Sequence, residues 1–161
     1  MTAAARSGLS NIMRSARLAF AGLLLLSTAL AQAGPAEDAN ARIDAWSAAY
    51  TSNDPEAVVN NYWPDAILLG TVSPVISEGT VAIRKYFSLV KDSGNKNAIQ
   101  ERHTMVLDQD AVVVTGYYEF TRMNEGKPSP APSRFTMLVT RRGGEWRILH
   151  HHSSPRAAPK L

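Results

Sequence analysis

Three of the chain's four histidines fall in one run, Leu149-His150-His151-His152-Ser153, just after a Gly143-Gly144 pair. Imidazole suits proton transfer, metal ligation and polar recognition near neutral pH, so which of the three share a face decides what they can do. A Gly-Gly pair between strand-like runs predicts a two-residue hairpin, because both central residues of a tight primed turn take positive φ. With Arg142 opposite Glu145, an unbroken register places Val139 opposite Ile148, Met137 opposite His150 and Phe135 opposite His152. Alternation then puts His150 and His152 on one face with Phe135, Met137 and Val139, and turns His151 to the other. Two imidazoles among apolar neighbours read as a pocket wall.

Other side chains extend the choices. His150, His152 and His103 would supply neutral imidazoles to a metal, with Glu119 or Glu101 behind them. The turn at Asp108-Gln109-Asp110 has an ambiguous length, which leaves the faces of Glu101 and Glu119 open. No metal site and no cofactor are therefore expected. A histidine beside a carboxylate in an apolar hollow would be tuned for acid-base work, with His103 and Glu119, or His150 and Asp65, as the candidate pairs. The chain has no cysteine, which removes thiol nucleophiles and disulfides, and it carries no compact catalytic triad.

These side chains need elements to hold them. Ala39, Ile43, Trp46 and Tyr50 recur at helical spacing, predicting a helix over Glu37 to Ser52. Asp54-Pro55-Glu56 then opens a second, short helix, with Asp54 as its cap and Val58, Val59 and Tyr62 on its buried side. Trp63-Pro64 is expected to end it. A strand follows at Ala66 to Leu69, then a loop holding a short strand at Val75-Ile76. Thr80 is expected to cap a third helix with a core stripe of Ile83, Tyr86, Phe87 and Val90. Strands are predicted over Ala98–Leu107, Ala111–Met123, Ser133–Arg142 and Glu145–Ser153, with Asn124–Pro132 as a Gly/Pro-rich connection. Helices followed by a meander define an α+β domain with helices on one sheet face. Val113 and Tyr117 lie on one face of their strand and Val112, Val114, Tyr118 and Phe120 on the other, while Leu138 and Leu149 face away from Met137 and His150. Three short helices cover one face only, so self-association through the outer sheet face is expected, as a homodimer or larger. The aromatic residues Trp46, Tyr50, Trp63 and Tyr86 read as core, with Trp46 and Tyr50 placed to reach a pocket as well.

The first 33 residues read differently. Arg6, Arg14 and Arg17 precede an apolar run from Leu18 to Leu30, and Ala31-Gln32-Ala33 offers a small-residue cleavage site. The run of about 13 residues is short of the ~20 that span a bilayer. An export signal over 1–33 is expected, with a domain over 34–154, a frayed tail over 155–161, and a periplasmic or secreted product without membrane attachment after cleavage. The leader holds three of the 17 basic residues and none of the 14 acidic ones, so the remainder is balanced. No basic patch argues for nucleic acid.

Several segments resemble the nuclear transport factor 2-like, SnoaL-like superfamily, and most closely the association (hub) domain of calcium/calmodulin-dependent protein kinase II and its free-standing bacterial relatives. They are Asn53-Asp54-Pro55-Glu56-Ala57, Ile76-Ser77-Glu78-Gly79, His103-Thr104-Met105-Val106-Leu107, Tyr117-Tyr118-Glu119-Phe120-Thr121-Arg122, and the closing hairpin Arg141–Trp146 with Leu149–Ser153. The resemblance implies a cone-shaped fold, a curved antiparallel sheet wrapped around three N-terminal helices, with assembly through the outer sheet face. It implies a pocket lined by His150, His152, His103, Tyr117, Glu119, Met137, Trp46 and Tyr50, open to a small organic ligand. The hub pocket's arginines, which favour small carboxylates, are matched at two strand positions by Glu119 and Met137, so that preference does not transfer. Kinase signatures are missing: there is no glycine-rich phosphate loop and no DFG motif. The expected function is an exported, non-kinase, homo-oligomerising domain with a small-molecule pocket. The alternatives are a SnoaL-like isomerase, cyclase or dehydratase using His103 and Glu119, and a purely structural assembly module.

Overall fold

The computed structural model describes residues 33–157. The expected export signal lies outside them except for Ala33, as do the last residues of the tail. The domain is built in the order α1 (Pro35–Thr51), α2 (Pro55–Val59), β1 (Tyr62–Leu69), β2 (Ser77–Glu78), α3 (Gly79–Phe87), a 3-10 turn at Ser88–Val90, then β3 (Lys96–Val106), β4 (Ala111–Asn124), β5 (Lys127–Arg142) and β6 (Glu145–Pro155). The sheet order is β2-β1-β6-β5-β4-β3. All neighbours are antiparallel except β1 and β6, which run parallel and tie the chain's early strand into the closing one. No described helix is long and apolar enough to cross a membrane.

Local chemistry explains most boundaries. Pro35 opens α1, and Asp54 caps α2 by accepting from Glu56 N at 2.9 Å and Ala57 N at 3.3 Å. A cap of this kind is worth about 1 kcal/mol. The α1 stripe of Ala39, Ile43, Trp46 and Tyr50 is buried against the sheet, as its spacing predicts. Ile83, Phe87 and Val90 do the same for α3 and its 3-10 extension. Gly143 and Gly144 have φ of 59° and 86°, and Arg142 pairs with Glu145, so the tight turn forms as expected.

Four expectations are corrected. Helix α2 stops at Val59, and Tyr62, Trp63 and Pro64 belong to β1 rather than to its buried side. The short strand is Ser77–Glu78, not Val75-Ile76. Helix α3 begins at Gly79 with Glu78 at its cap position and no side-chain cap, so Thr80 does not serve. The Gly/Pro-rich stretch is strand: β5 starts at Lys127 and pairs with β4 all the way to Asn124, across a turn with Glu125 and Gly126 at φ of 50° and 76°. Pro128, Pro130 and Pro132 are tolerated because they alternate. The Pro132 carbonyl accepts from Arg156 N at 2.9 Å, so that residue's backbone groups point away from β4. All three missing N–H groups thus fall on the side where the β4 ladder does not need them.

The sheet has an inner face, covered by the helices, and an outer one. Inward rows are Val112, Val114, Tyr118 and Phe120 on β4, and Ser133, Phe135, Met137 and Val139 on β5. Met137 is fully buried.

Candidate functional site

The closing hairpin departs from unbroken register at one residue. Val139 pairs with Ile148, but Leu138 pairs with His150, Met137 with His151 and Phe135 with Ser153, so Leu149 is an extra residue in β6. On the other side of β6, the ladder with β1 is also interrupted, between Tyr62 and Ile67, around Pro64, which has no N–H to give. A bulge of one residue exchanges the two faces of every residue beyond it. The expected facing of His150 and His152 is therefore reversed: both lie on the outer face, and His151, 1% exposed, points inward with Ser153.

His151 sits in a hydroxyl cage. The Tyr62 hydroxyl is 2.8 Å from its Nδ1 and the Tyr118 hydroxyl 3.4 Å from its Nε2. Tyr118 donates to Ser153 Oγ, and Ser153 Oγ is hydrogen-bonded to Thr71 Oγ1. With its own proton on Ser153, the Tyr118 oxygen accepts from Nε2–H, which leaves Nδ1 to accept from Tyr62. One neutral tautomer satisfies the whole chain. Trp46 meets the ring edge-on at 5.1 Å. Burial, helped by the charges of His150 and His152, pushes the imidazole down to about 3. Burial likewise raises Tyr62 and Tyr118 well above the usual phenol range. At neutral pH all three groups are uncharged.

This cage is the base of a hollow of about 200 Å3, walled by Trp46, Tyr50, Leu68, Tyr86, Phe87, Leu89, Val90, Tyr118 and Phe120, with Thr71, Asn95, Arg122 and Ser153 as polar contacts. Gly70 makes room for one wall: a Cβ there would stand 2.2 Å from the Tyr86 ring. Trp46 and Tyr50 therefore line the hollow as the sequence predicts. No Asp or Glu side chain does.

The remaining expected pocket residues lie elsewhere. His103 is on the outer face, 76% exposed, and pairs with Glu101 at 3.0 Å rather than with Glu119. Asp65 pairs with Arg142 at 2.8 Å, not with His150. Tyr117 faces outward under the guanidinium of Arg156, 3.8 Å from its ring centre, and Glu119 shares that outward row. Met137 is core, not lining. An outer groove does gather His103, Glu101, Tyr117, Arg134 and His152, across the paired residues Thr115 and Thr136. Among the described residues no cluster of three or more histidines and carboxylates is placed to hold a metal.

His151, Tyr118, Ser153 and Arg122 are pocket residues that the sequence reading missed. Tyr118 and Arg122 were within reach, because alternation along β4 puts both inward with Phe120. The inward turn of His151 and Ser153 had no comparable signal.

The SnoaL-like domain model matches residues 39–158. A protein from Xanthomonas campestris, described as a candidate calcium/calmodulin-dependent protein kinase II association domain, is 35% identical, with 78% of this chain and 93% of that one covered and a TM-score of 0.70. A protein with a cystatin-like fold from Caulobacter vibrioides is 22% identical, covering 77% and 92%, with a TM-score of 0.66. A candidate dehydratase of the nuclear transport factor 2-like family from Streptomyces avermitilis is 16% identical, covering 76% and 96%, with a TM-score of 0.67, a likeness of fold alone. No curated protein matches in sequence. The chain belongs to the SnoaL-like family and has the nuclear transport factor 2-like fold.

Proposed function

We propose that this chain is an exported, non-kinase domain that self-associates through its outer sheet face and binds a small organic molecule in its inner hollow. The observation that carries the ligand reading is the hollow itself. It is walled by aromatic rings, and its base is a hydroxyl chain whose hydrogen bonds are already satisfied internally. Such a space favours a ligand that brings apolar surface and few hydrogen-bonding demands. A histidine-carboxylate acid-base reading has less support, because the one inward histidine has no carboxylate near it.

Self-association is supported by a strip on the outer face. Met105, Val113, Leu138, His150 and Ile67 are cross-strand neighbours, and Met105 is 58% exposed. The likeness to a candidate association domain points the same way. Export is supported by the basic, apolar and small-residue order of positions 1–33.

Nuclear magnetic resonance titration with p-cresol tests the pocket. Shifts are expected at Tyr50, Tyr86, Leu89 and Phe120. Shifts confined to the groove around His103 and His152, or none with p-cresol or a panel of aromatic ketones and acids, contradict the reading. Sedimentation tests the assembly: a dimer or larger is expected, dissociating in Leu138→Glu, and a wild-type monomer overturns it.

A further inference from the structure

The hollow has room for little more than one ring. An engineered apolar cavity of about 150 Å3 holds benzene, and this space is about 200 Å3. Anything longer must continue through the mouth, so the residues standing there decide what the rest of a ligand can be.

Two side chains line the hollow and yet are mostly exposed: Val72 at 58% and Leu89 at 76%. They come from different elements. Val72 follows Gly70, on which the Tyr86 ring rests, in the loop between β1 and β2, and Leu89 lies in the 3-10 turn that extends α3. Its neighbour Val90 is buried, so that turn sends one aliphatic side chain inward and leaves the other at the lip. The apolar surface does not end there. Val75 and Ile76 are exposed farther along the loop, and Val81 on α3. Among the described residues, five of the ten large apolar side chains left exposed thus fall between positions 72 and 89. Scattered singly, such residues need no explanation, but a group of them beside an apolar opening marks a binding surface. None of these side chains offers a hydrogen bond, so whatever lies over them gains from burial alone.

We propose that the hollow takes a single-ring compound bearing an unbranched alkyl tail, the ring between Trp46, Tyr118 and Phe120 and the tail leaving over Val72 and Leu89. This rests on the pocket reading above and adds the tail to it. Burying a methylene completely is worth about fourfold in affinity, and laying it over an open lip about twofold.

Calorimetry with p-cresol and 4-pentylphenol tests the assignment, on wild type and on the double variant Val72→Ser/Leu89→Ser, each confirmed as folded by circular dichroism. The longer compound should bind wild type at least tenfold more tightly, about twofold for each added methylene. In the double variant that ratio should fall below threefold, whatever the change in p-cresol binding itself. A wild-type ratio short of tenfold, or one that stays above threefold in the double variant, overturns the tail assignment and leaves the pocket standing. Binding of neither compound removes the pocket reading, and the assignment with it.

Discussion

The two faces of one sheet are built from the same strands yet do different work. The inner face closes on an aromatic hollow in which every titratable group but Arg122 is uncharged at neutral pH, His151 through its burial. The outer face spreads His103, Glu101, Tyr117, Arg134 and His152, most of them exposed, in a groove beside an apolar strip. Residue type alone does not separate them, since each face has histidine, tyrosine and arginine. What separates them is desolvation: the hydrogen bonds of His151 and Tyr118 at the base of the hollow are buried and have little water to compete with them, whereas the exposed His103–Glu101 pair is screened.

Substitutions on the two faces should therefore differ in cost. Trp46→Ala, which removes the largest buried ring at the hollow, should lose about 3–5 kcal/mol in chemical denaturation. A loss below 1 kcal/mol would mean the inner face is not packed as described. Acid should act on the inner face next. His151 has a folded pKa of about 3, below its unfolded value, so the unfolded chain binds the extra proton. That contribution is complete above about pH 6.5 and is lost as pH falls toward 3, by about 1.4 kcal/mol per unit. Stability measured from pH 7 to 4.5 should fall more steeply in wild type than in His151→Gln. His150 is shifted in the same direction and stays in both proteins, so the difference isolates His151. Parallel curves would contradict its burial.

Smaller effects sharpen the contrast. Gly70→Ala should push the Tyr86 ring into the hollow, costing about 1–3 kcal/mol and weakening p-cresol binding. Unchanged binding would show that Tyr86 is not a wall. His103→Ala on the outer face should stay within about 0.5 kcal/mol of wild type. A larger change in thermal midpoint would mean that His103 is not the exposed side chain described.

Much of the inner face was legible in the sequence. The Ala39–Tyr50 stripe, the Asp54 cap, the Gly143-Gly144 turn and the alternation of β4 all survive in the structure. The histidine facing did not survive, for a physical reason. Ile148, Leu149 and three consecutive histidines contain no polar-apolar alternation by which to detect a slipped residue, so a bulge at Leu149 leaves no trace in the pattern. The neighbouring ladder to β1 breaks over the same stretch, around Pro64, far away in sequence. The prolines of β5 misled in the opposite direction. They read as loop because each lacks an N–H, and only the pairing with β4 reveals that none of those donors was needed. Arg122 was readable as inward from Phe120 two residues before it.

The facing of the histidine triplet underlies the hollow, its neutral base and the lone cation beside it. Long-range nitrogen-15 resonance spectra of the histidine rings between pH 8 and 5 test it directly. His151 should remain a neutral Nε2–H tautomer with constant shifts across the range. A His151 ring that titrates near pH 6.5, as a solvated imidazole does, would place it outside the hollow and contradict the site built around it.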